Sequence, residues 1–140
     1  MSKRSVLTAL AGLAATLGLA ATAAPASAAY SECPVNRFCL WFNSDFQGAR
    51  ADLADSDGNL GDELFNDGPA GRNGWNVQVE NNAASVANRT GQGAYIYDGR
   101  GCTGEQAFVS GSSGRTLGAL KNRVSSVWVV AGPNVGCANI

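Results

Sequence analysis

The sequence contains no histidine among its 140 residues. Ser-His-Asp and Cys-His nucleophile systems and the usual catalytic zinc sites depend on imidazole, so these classes of enzyme are excluded. A site with four cysteine ligands for zinc is not indicated either, because the cysteines lack paired C-x-x-C spacing. The missing histidine therefore favours a protein that is not an enzyme and has no zinc site.

Charged residues are also scarce, at 15% of the chain. Lys3 and Arg4 precede the apolar residues 6–24, and Ala26-Ser27-Ala28 matches the small-residue pattern that signal peptidase accepts. We therefore predict a signal peptide at residues 1–28 that is removed, and a secreted, extracellular domain at residues 29–140. Its eight basic and eleven acidic groups leave a net charge of −3, which predicts neither nucleic acid nor membrane as a partner.

Six acidic side chains gather in one stretch without an intervening basic residue. They stand among glycine, asparagine, serine and proline, a setting that does not hold two carboxylates at the fixed separation a glycosidase needs. An EF-hand is excluded as well, because position 6 counted from Asp55 is Leu60 rather than glycine. We interpret the stretch as a solvated loop. Its acidic members are Asp52, Asp55, Asp57, Asp62, Glu63 and Asp67.

All four cysteines follow the predicted signal peptide, and they are Cys33, Cys39, Cys102 and Cys137. An even number in an exported chain predicts two disulfides. Three pairings are open. We favour Cys33 with Cys39 because this pair encloses only five residues, among them Pro34, which favours a turn. Cys102 then pairs with Cys137 and ties the C-terminal tail to the domain.

Two segments of the chain repeat one spacing of aromatic residue and glycine. The frame is aromatic-x₄-aromatic-x-Gly, with Trp41, Phe46 and Gly48 in the first copy. The second copy has Tyr97, Cys102 and Gly104, in which Cys102 takes the place of the second aromatic residue. A motif Asn-x-x-(Ala/Ser)-Ser-Val follows each copy and contains Ser85 or Ser126. The two copies of the frame are 56 residues apart and the two copies of the motif are 41 residues apart, so the first repeat carries about fifteen extra residues. We place them in the turn-rich stretch 55–75.

Short β-branched or aromatic runs bounded by glycine, asparagine or serine predict strands. Within the extra residues, Leu60, Leu64 and Phe65 could instead support a short helical turn. Two repeats of about four short strands each favour paired Greek keys packed as an all-β sandwich. The predicted strands are residues 38–42, 77–79, 94–97, 107–109 and 124–130.

The repeated frame has a physical interpretation as a hairpin folded back over its sheet. The glycine takes a conformation barred to residues with a Cβ, and the aromatic residues pack against the folded segment. A serine on a later strand can then hydrogen-bond the exposed backbone of the hairpin. We therefore expect Gly48 and Gly104 to have positive φ or unusually close packing. We expect Ser85 and Ser126 each to hydrogen-bond the backbone of one hairpin.

The paired frame and its serines resemble the Greek-key signature of the βγ-crystallins. Together with Cys33-Pro34, Phe46-Gln47-Gly48 and the segments 81–89 and 124–128, they resemble the small secreted metalloproteinase inhibitors of actinomycetes. The resemblance covers about residues 33–130. It implies a βγ-crystallin-like sandwich with repeat one at 33–90, repeat two at 91–130 and a tail at 131–140.

The same resemblance implies a secreted peptidase inhibitor whose partner is a secreted protease, most of all a metalloprotease. A rigid loop would block the protease cleft. The alternative is a non-inhibitory module of the same fold with a structural, calcium-binding or toxin-like role. In the inhibitor that typifies the family, the reactive bond lies in the second half, beside a short loop closed by two nearby cysteines. In this chain Cys102 has no nearby cysteine, so we carry over no reactive-bond residue. Three segments remain candidates for the inhibitory loop: residues 56–74, the Cys33–Cys39 loop and residues 98–104.

Calcium-binding crystallins carry (Asn/Asp)-(Asn/Asp)-x-x-(Ser/Thr)-Ser in each repeat, and this chain departs from that pattern. Ala84 removes an oxygen ligand from the first copy, and Lys121 brings a positive charge to the second. Hard cations need several oxygen ligands. We therefore expect no cofactor, and at most weak calcium binding.

Overall fold

The computed structural model describes residues 26–130. The elements are α1 (Ala26–Ser31), β1 (Phe38–Trp41), β2 (Arg50–Leu53), β3 (Ser85–Asn88), β4 (Ala94–Gly99), β5 (Thr103–Val109), β6 (Ser113–Thr116) and β7 (Ser126–Val129). Antiparallel pairing joins the strands of this part of the chain into two sheets, with the orders β2-β1-β3-β6 and β5-β4-β7. The all-β architecture with two sheets is therefore confirmed.

The two repeats exchange strands between the sheets. Strands β1 to β3 come from the first repeat and β4 to β7 from the second, yet β6 pairs with β3 in the first sheet. In return, Asp57 of the first repeat forms a bridge with Val127 of β7, with N···O distances of 2.7 and 2.8 Å. Each sheet thus contains backbone from both Greek keys, which joins the repeats into one sandwich.

Four of the five predicted strands are present, as β1, β4, β5 and β7. The prediction of a strand at residues 77–79 is wrong, because Gln78 forms only an isolated bridge with Leu64. The left-handed backbone of Gly74 and Asn76 turns the chain just before this segment. Three alternating residues are too few to override such a turn.

Three strands of the structure were not predicted, namely β2, β3 and β6. Their sequences, RADL, SVAN and SGRT, lack the runs of β-branched and aromatic residues on which strand prediction depends. Strand β3 is nevertheless fully buried between β1 and β6. Its small side chains fit a crowded position that local propensity does not register.

The extra residues of the first repeat are packed, which corrects their interpretation as a solvated loop. Leu60 and Phe65 are fully buried in the core, without a helix at this place. Asp52 forms an ion pair with Arg50, and the Asp67 carboxylate accepts a hydrogen bond from the Asp52 N–H at 2.8 Å. Some of the acidic side chains therefore form ion pairs and hydrogen bonds that hold the local backbone.

The main core lies between the two sheets. Both repeats and the extra residues contribute to it, and burying these apolar side chains is the largest favourable contribution to folding. Its largest fully buried apolar members are Phe38, Leu40, Leu60, Phe65, Val79, Val86, Ile96, Val109, Val124 and Val127.

A second, smaller cluster covers the outer face of the first sheet. Cys33 and Cys39 form a disulfide with Cα atoms 5.8 Å apart, and both are fully buried beside Trp41. Tyr30 packs on this cluster from the segment before β1. The other bridge that the sequence predicts involves Cys137, which lies outside the described residues.

The predicted cleavage point after Ala28 lies within α1. From Ala29, which is buried, the chain packs on the sandwich. No helix among the described residues has the length and apolar character needed to span a bilayer.

Candidate functional site

The first repeated frame folds back over the sheet between β1 and β2. Phe46 lies edge-on to the buried Trp41, with ring centroids 5.3 Å apart, and Gly48 has a φ of +81°. The Ser85 hydroxyl accepts a hydrogen bond from the Phe46 N–H at 2.9 Å and donates one to the Asn43 carbonyl at 2.7 Å. One buried serine therefore clamps both sides of the folded hairpin.

The second frame repeats this geometry between β4 and β5. The Ser126 hydroxyl accepts from the Cys102 N–H at 3.0 Å and donates to the Gly99 carbonyl at 2.6 Å, and Gly104 has a φ of +83°. Tyr97 takes the place of Trp41, and burial raises the pKa of its phenol. The frame residues therefore hold the two hairpins, and none of them is placed to perform chemistry.

One pocket contains both residues at which the sequence departs from the calcium-binding pattern. Lys121 and Ala84 line one pocket together with Phe42, Asn43 and Ser44. The Lys121 ammonium group donates a hydrogen bond to the Ser44 hydroxyl at 2.9 Å. The pocket thus combines a positive charge with a methyl group where a cation would need oxygen atoms.

The position that corresponds to Lys121 in the first repeat holds Glu80, whose carboxylate is paired with a basic side chain. Arg100 donates from Nε to Oε1 of Glu80 at 2.7 Å and also bonds the second carboxylate oxygen. This hydrogen-bonded pair lowers the pKa of Glu80 and raises that of Arg100. The one carboxylate at this position is therefore already paired.

Three acidic side chains of the extra residues come close together. Carboxylate oxygens of Asp57, Asp62 and Glu63 all lie within 4.8 Å of one another. Burial, and then the carboxylates of Asp57, Asp62 and Asp67, raise the pKa of Glu63. Asp57 also accepts a hydrogen bond from the Asn59 N–H at 2.7 Å. Exposed carboxylates often gather without a cation, so this cluster does not by itself define a metal site.

The candidate contact loops differ in how they are held. Val35, which is 65% exposed, lies in the Cys33–Cys39 loop, and the Asn36 N–H of that loop bonds the Arg89 carbonyl at 3.0 Å. In residues 98–104 the side chain of Arg100 is bound to Glu80. Within the extra residues, 68–71 are all exposed.

An ionic network that joins the N-terminal segment to the extra residues was missed in the sequence. Arg50, only 7% exposed, pairs with Asp52 and donates from Nη1 to the Glu32 carbonyl at 2.6 Å. The Glu32 carboxylate in turn pairs with Arg72, which raises the pKa of Arg72. These partners are up to 40 residues apart, so no local pattern could have indicated the network.

Solved structures with a similar arrangement are βγ-crystallins and their microbial relatives. The N-terminal domain of protein S matches at 28% identity with a TM-score of 0.52, over 69% of this chain and 98% of that one. A structure concerned with the evolution of the eye-lens βγ-crystallin domain fold matches at 17% identity and a TM-score of 0.55, over 71% and 91%. A βγ-crystallin domain from Flavobacterium johnsoniae matches at 17% and 0.51, over 70% and 98%.

These likenesses, the two exchanged Greek keys and the serine-clamped hairpins define a disulfide-tied protein of βγ-crystallin-like fold. A search of curated proteins found no match. The model of peptidase inhibitor family I36 matches residues 26–109, which is more than half of the sequence. The chain belongs to this family. Membership identifies a non-enzymatic protein and supports a role as a peptidase inhibitor with a protease as its partner.

Proposed function

We propose that the protein is exported, matured to residues 29–140, and inhibits secreted metalloproteases by placing a rigid loop in the protease cleft. The match to peptidase inhibitor family I36 over residues 26–109 is the observation that carries this proposal. The leader pattern at residues 1–28 supports export. The metalloprotease target rests on the resemblance seen in the sequence.

The physical basis of inhibition is pre-organisation. A loop held by a folded sandwich loses little conformational entropy when it enters a cleft, so more of its contact energy contributes to affinity. The disulfide between Cys33 and Cys39 and the clamps at Ser85 and Ser126 restrict the backbone near the candidate loops. Local opening, which proteolysis requires, is correspondingly disfavoured.

The test is a titration of the purified protein against a thermolysin-like metalloprotease and a subtilisin-like serine protease. We expect inhibition of the metalloprotease below about 1 μM, the affinity range of a specific complex. The control is the reduced and alkylated chain, which should be digested as a substrate. No inhibition of either enzyme at micromolar concentration contradicts the proposal, and inhibition of the serine protease alone contradicts the metalloprotease target.

We also propose that the protein works without calcium. This is supported by the basic Lys121 at one position of the calcium-binding pattern and by the pairing of Glu80, at the other, with Arg100. Calorimetry should show no binding tighter than about 10 μM, since such affinity requires a well-formed oxygen cage. The double variant Ala84→Ser, Lys121→Asp should bind calcium more tightly than the parent. Replacing the neighbouring exposed Arg123 by Asp changes the charge equally and should not. Tight binding by the parent protein would refute this proposal.

A further inference from the structure

The extra residues of the first repeat contain one exposed turn, residues 67–73, which we name the anchored turn. Residues 68–71, with the sequence Gly-Pro-Ala-Gly, are all exposed, and a Cβ built at Gly71 meets no atom within 4 Å. The second repeat has no counterpart of this segment, so the two-Greek-key frame does not require it. An addition that the fold does not need is a candidate for function.

Both ends of the anchored turn are fastened to the edge strand β2 and to the residue before it. The Asp67 N–H donates to the Arg50 carbonyl at 2.9 Å, and the Asp67 carboxylate accepts from the Asp52 N–H at 2.8 Å. At the other end, the Asn73 carbonyl accepts from the Ala49 N–H at 2.8 Å. The ends are therefore fixed to the sandwich at a defined separation.

Side chains from the N-terminal segment support the turn from beneath. Arg72 forms a two-pronged ion pair with Glu32, in which Nη2 lies 3.2 Å from Oε1. The Arg50 guanidinium lies 3.7 Å from the Cβ position of Gly68. Glu32 directly precedes the disulfide-bonded Cys33, so the support is itself covalently tied to β1.

The main chain of residues 68–71 makes no hydrogen bond to any described residue outside the anchored turn. The N–H groups of Gly68, Ala70 and Gly71 and the carbonyls of this exposed segment, between two fastened ends, can therefore hydrogen-bond the walls of a cleft that binds peptide backbone. The other candidate loops offer fewer groups to a partner. The Asn36 N–H donates to the Arg89 carbonyl, and the side chain of Arg100 is bound to Glu80.

We propose that the anchored turn is the segment that enters the protease cleft, with Ala70 in the specificity pocket. This inference rests on the proposed inhibitory function. Because the tip carries no side chain larger than proline, the matching protease has a pocket for a small apolar residue and binds mainly through backbone hydrogen bonds. Proteases select one substrate side chain by the size and chemistry of such a pocket.

The inference is tested by comparing inhibition constants of two alanine variants against the protease that the parent protein inhibits best. Ala70→Trp should raise the inhibition constant about tenfold or more, since a central contact residue no longer fits. Ala119→Trp, an equal change at an exposed alanine of the turn after β6, should change it less than about twofold. Both variants should retain the parent's unfolding midpoint because both positions are exposed.

A measurement on the unaltered protein gives an independent result. Amide hydrogens of Gly68 and residues 70–72 should exchange more slowly in the complex than in the free protein, whereas those of residues 35–37 should not change. The inference is overturned if the parent protein inhibits, Ala70→Trp inhibits equally well, and residues 68–72 gain no protection in the complex. That result leaves the inhibitory function standing. Loss of inhibition in Val35→Asp alone assigns the contact to the Cys33–Cys39 loop and also overturns it. A parent protein that inhibits neither enzyme class removes the proposed function and this inference together.

Discussion

At the scale of single residues, Gly48 shows how backbone conformation and space act together. Its φ of +81° favours glycine, and an added Cβ would lie 2.8 Å from the Asn73 carbonyl oxygen. We expect Gly48→Val to lower the free energy of unfolding by roughly 2–4 kcal/mol. Gly91 has a φ of +77° with no atom within 4 Å of its Cβ position, so Gly91→Val should cost only about 1–2 kcal/mol.

Urea unfolding of both variants measures the difference, provided that the m values agree with the parent. Equal losses at Gly48 and Gly91 would show that φ alone matters. In that case the close approach of Asn73 adds nothing to the cost of placing a side chain at Gly48.

Glu63 predicts a pH-dependent effect on stability. Burial and three neighbouring carboxylates raise its pKa in the folded state, so the folded protein binds this proton more tightly than the unfolded chain. The favourable contribution is present below the unfolded pKa of about 4.3 and is lost as the pH rises through the folded pKa. Glu63→Gln should therefore raise the melting temperature at pH 7 by about 1–3 °C and leave it nearly unchanged at pH 3.

Calorimetric melting at the two pH values, with Asp55→Asn as the control at an exposed carboxyl group, measures this effect. A gain at pH 3 as large as the gain at pH 7 would mean that glutamine stabilises through packing. The ionisation of Glu63 would then have no part in the effect.

At the scale of structural elements, the two hairpins depend on buried serine hydroxyls. Ser85→Ala or Ser126→Ala leaves a hairpin N–H and carbonyl without their partner, and each should cost about 1–3 kcal/mol in unfolding free energy. Ser113, whose half-exposed hydroxyl donates to the Ser110 carbonyl, is the control, and Ser113→Ala should cost less than about 0.5 kcal/mol. Chemical denaturation compares the three, and losses no larger than the control would contradict the clamp.

Strand prediction succeeded where a segment carries its own signal and failed where neighbours supply the stability. Strand β1, with the sequence FCLW, and strand β4, with AYIYDG, contain the aromatic and branched residues typical of strands. Strand β6, with SGRT, has no such signal and is ordered by its pairing with β3 across the repeat boundary. Pairing between distant segments is a tertiary event that a local pattern does not contain.

At the scale of the whole molecule, the disulfide between Cys33 and Cys39 fastens the N-terminal segment to the sandwich. Replacing Cys33 and Cys39 by alanine should lower the free energy of unfolding by about 2 kcal/mol, the loop-entropy value for so short a ring. It should also weaken inhibition, because Glu32, which supports Arg72, is next to Cys33. Unfolding and inhibition of the double variant are the measurements, and unchanged values of both would contradict this role.

The predicted pairing of Cys102 with Cys137 is tested by the masses of disulfide-linked proteolytic peptides. We expect one peptide pair that joins Cys102 to Cys137 and a separate product that contains Cys33 and Cys39. Any fragment that joins the Cys33–Cys39 segment to Cys102 or Cys137 would falsify the pairing.

The sequence by itself determined the features that depend on local chemistry or on repetition. The absence of histidine removed the common nucleophile systems, the repeated frame predicted two Greek keys, and Pro34 with its short spacing favoured the bridge from Cys33 to Cys39. Positions such as Gly48 could be predicted because the backbone conformation required there disfavours a Cβ.

Only the tertiary structure decided what depends on contacts between distant segments. It placed β6 in the first sheet, buried Leu60 and Phe65, and brought Glu32 against Arg72 beneath the anchored turn. The pairing of β6 with β3 depends on how the two repeats pack on each other. The free energy of these contacts comes from burying and pairing groups that lie far apart in the sequence, 40 residues for Glu32 and Arg72, so no short window of sequence contains both partners.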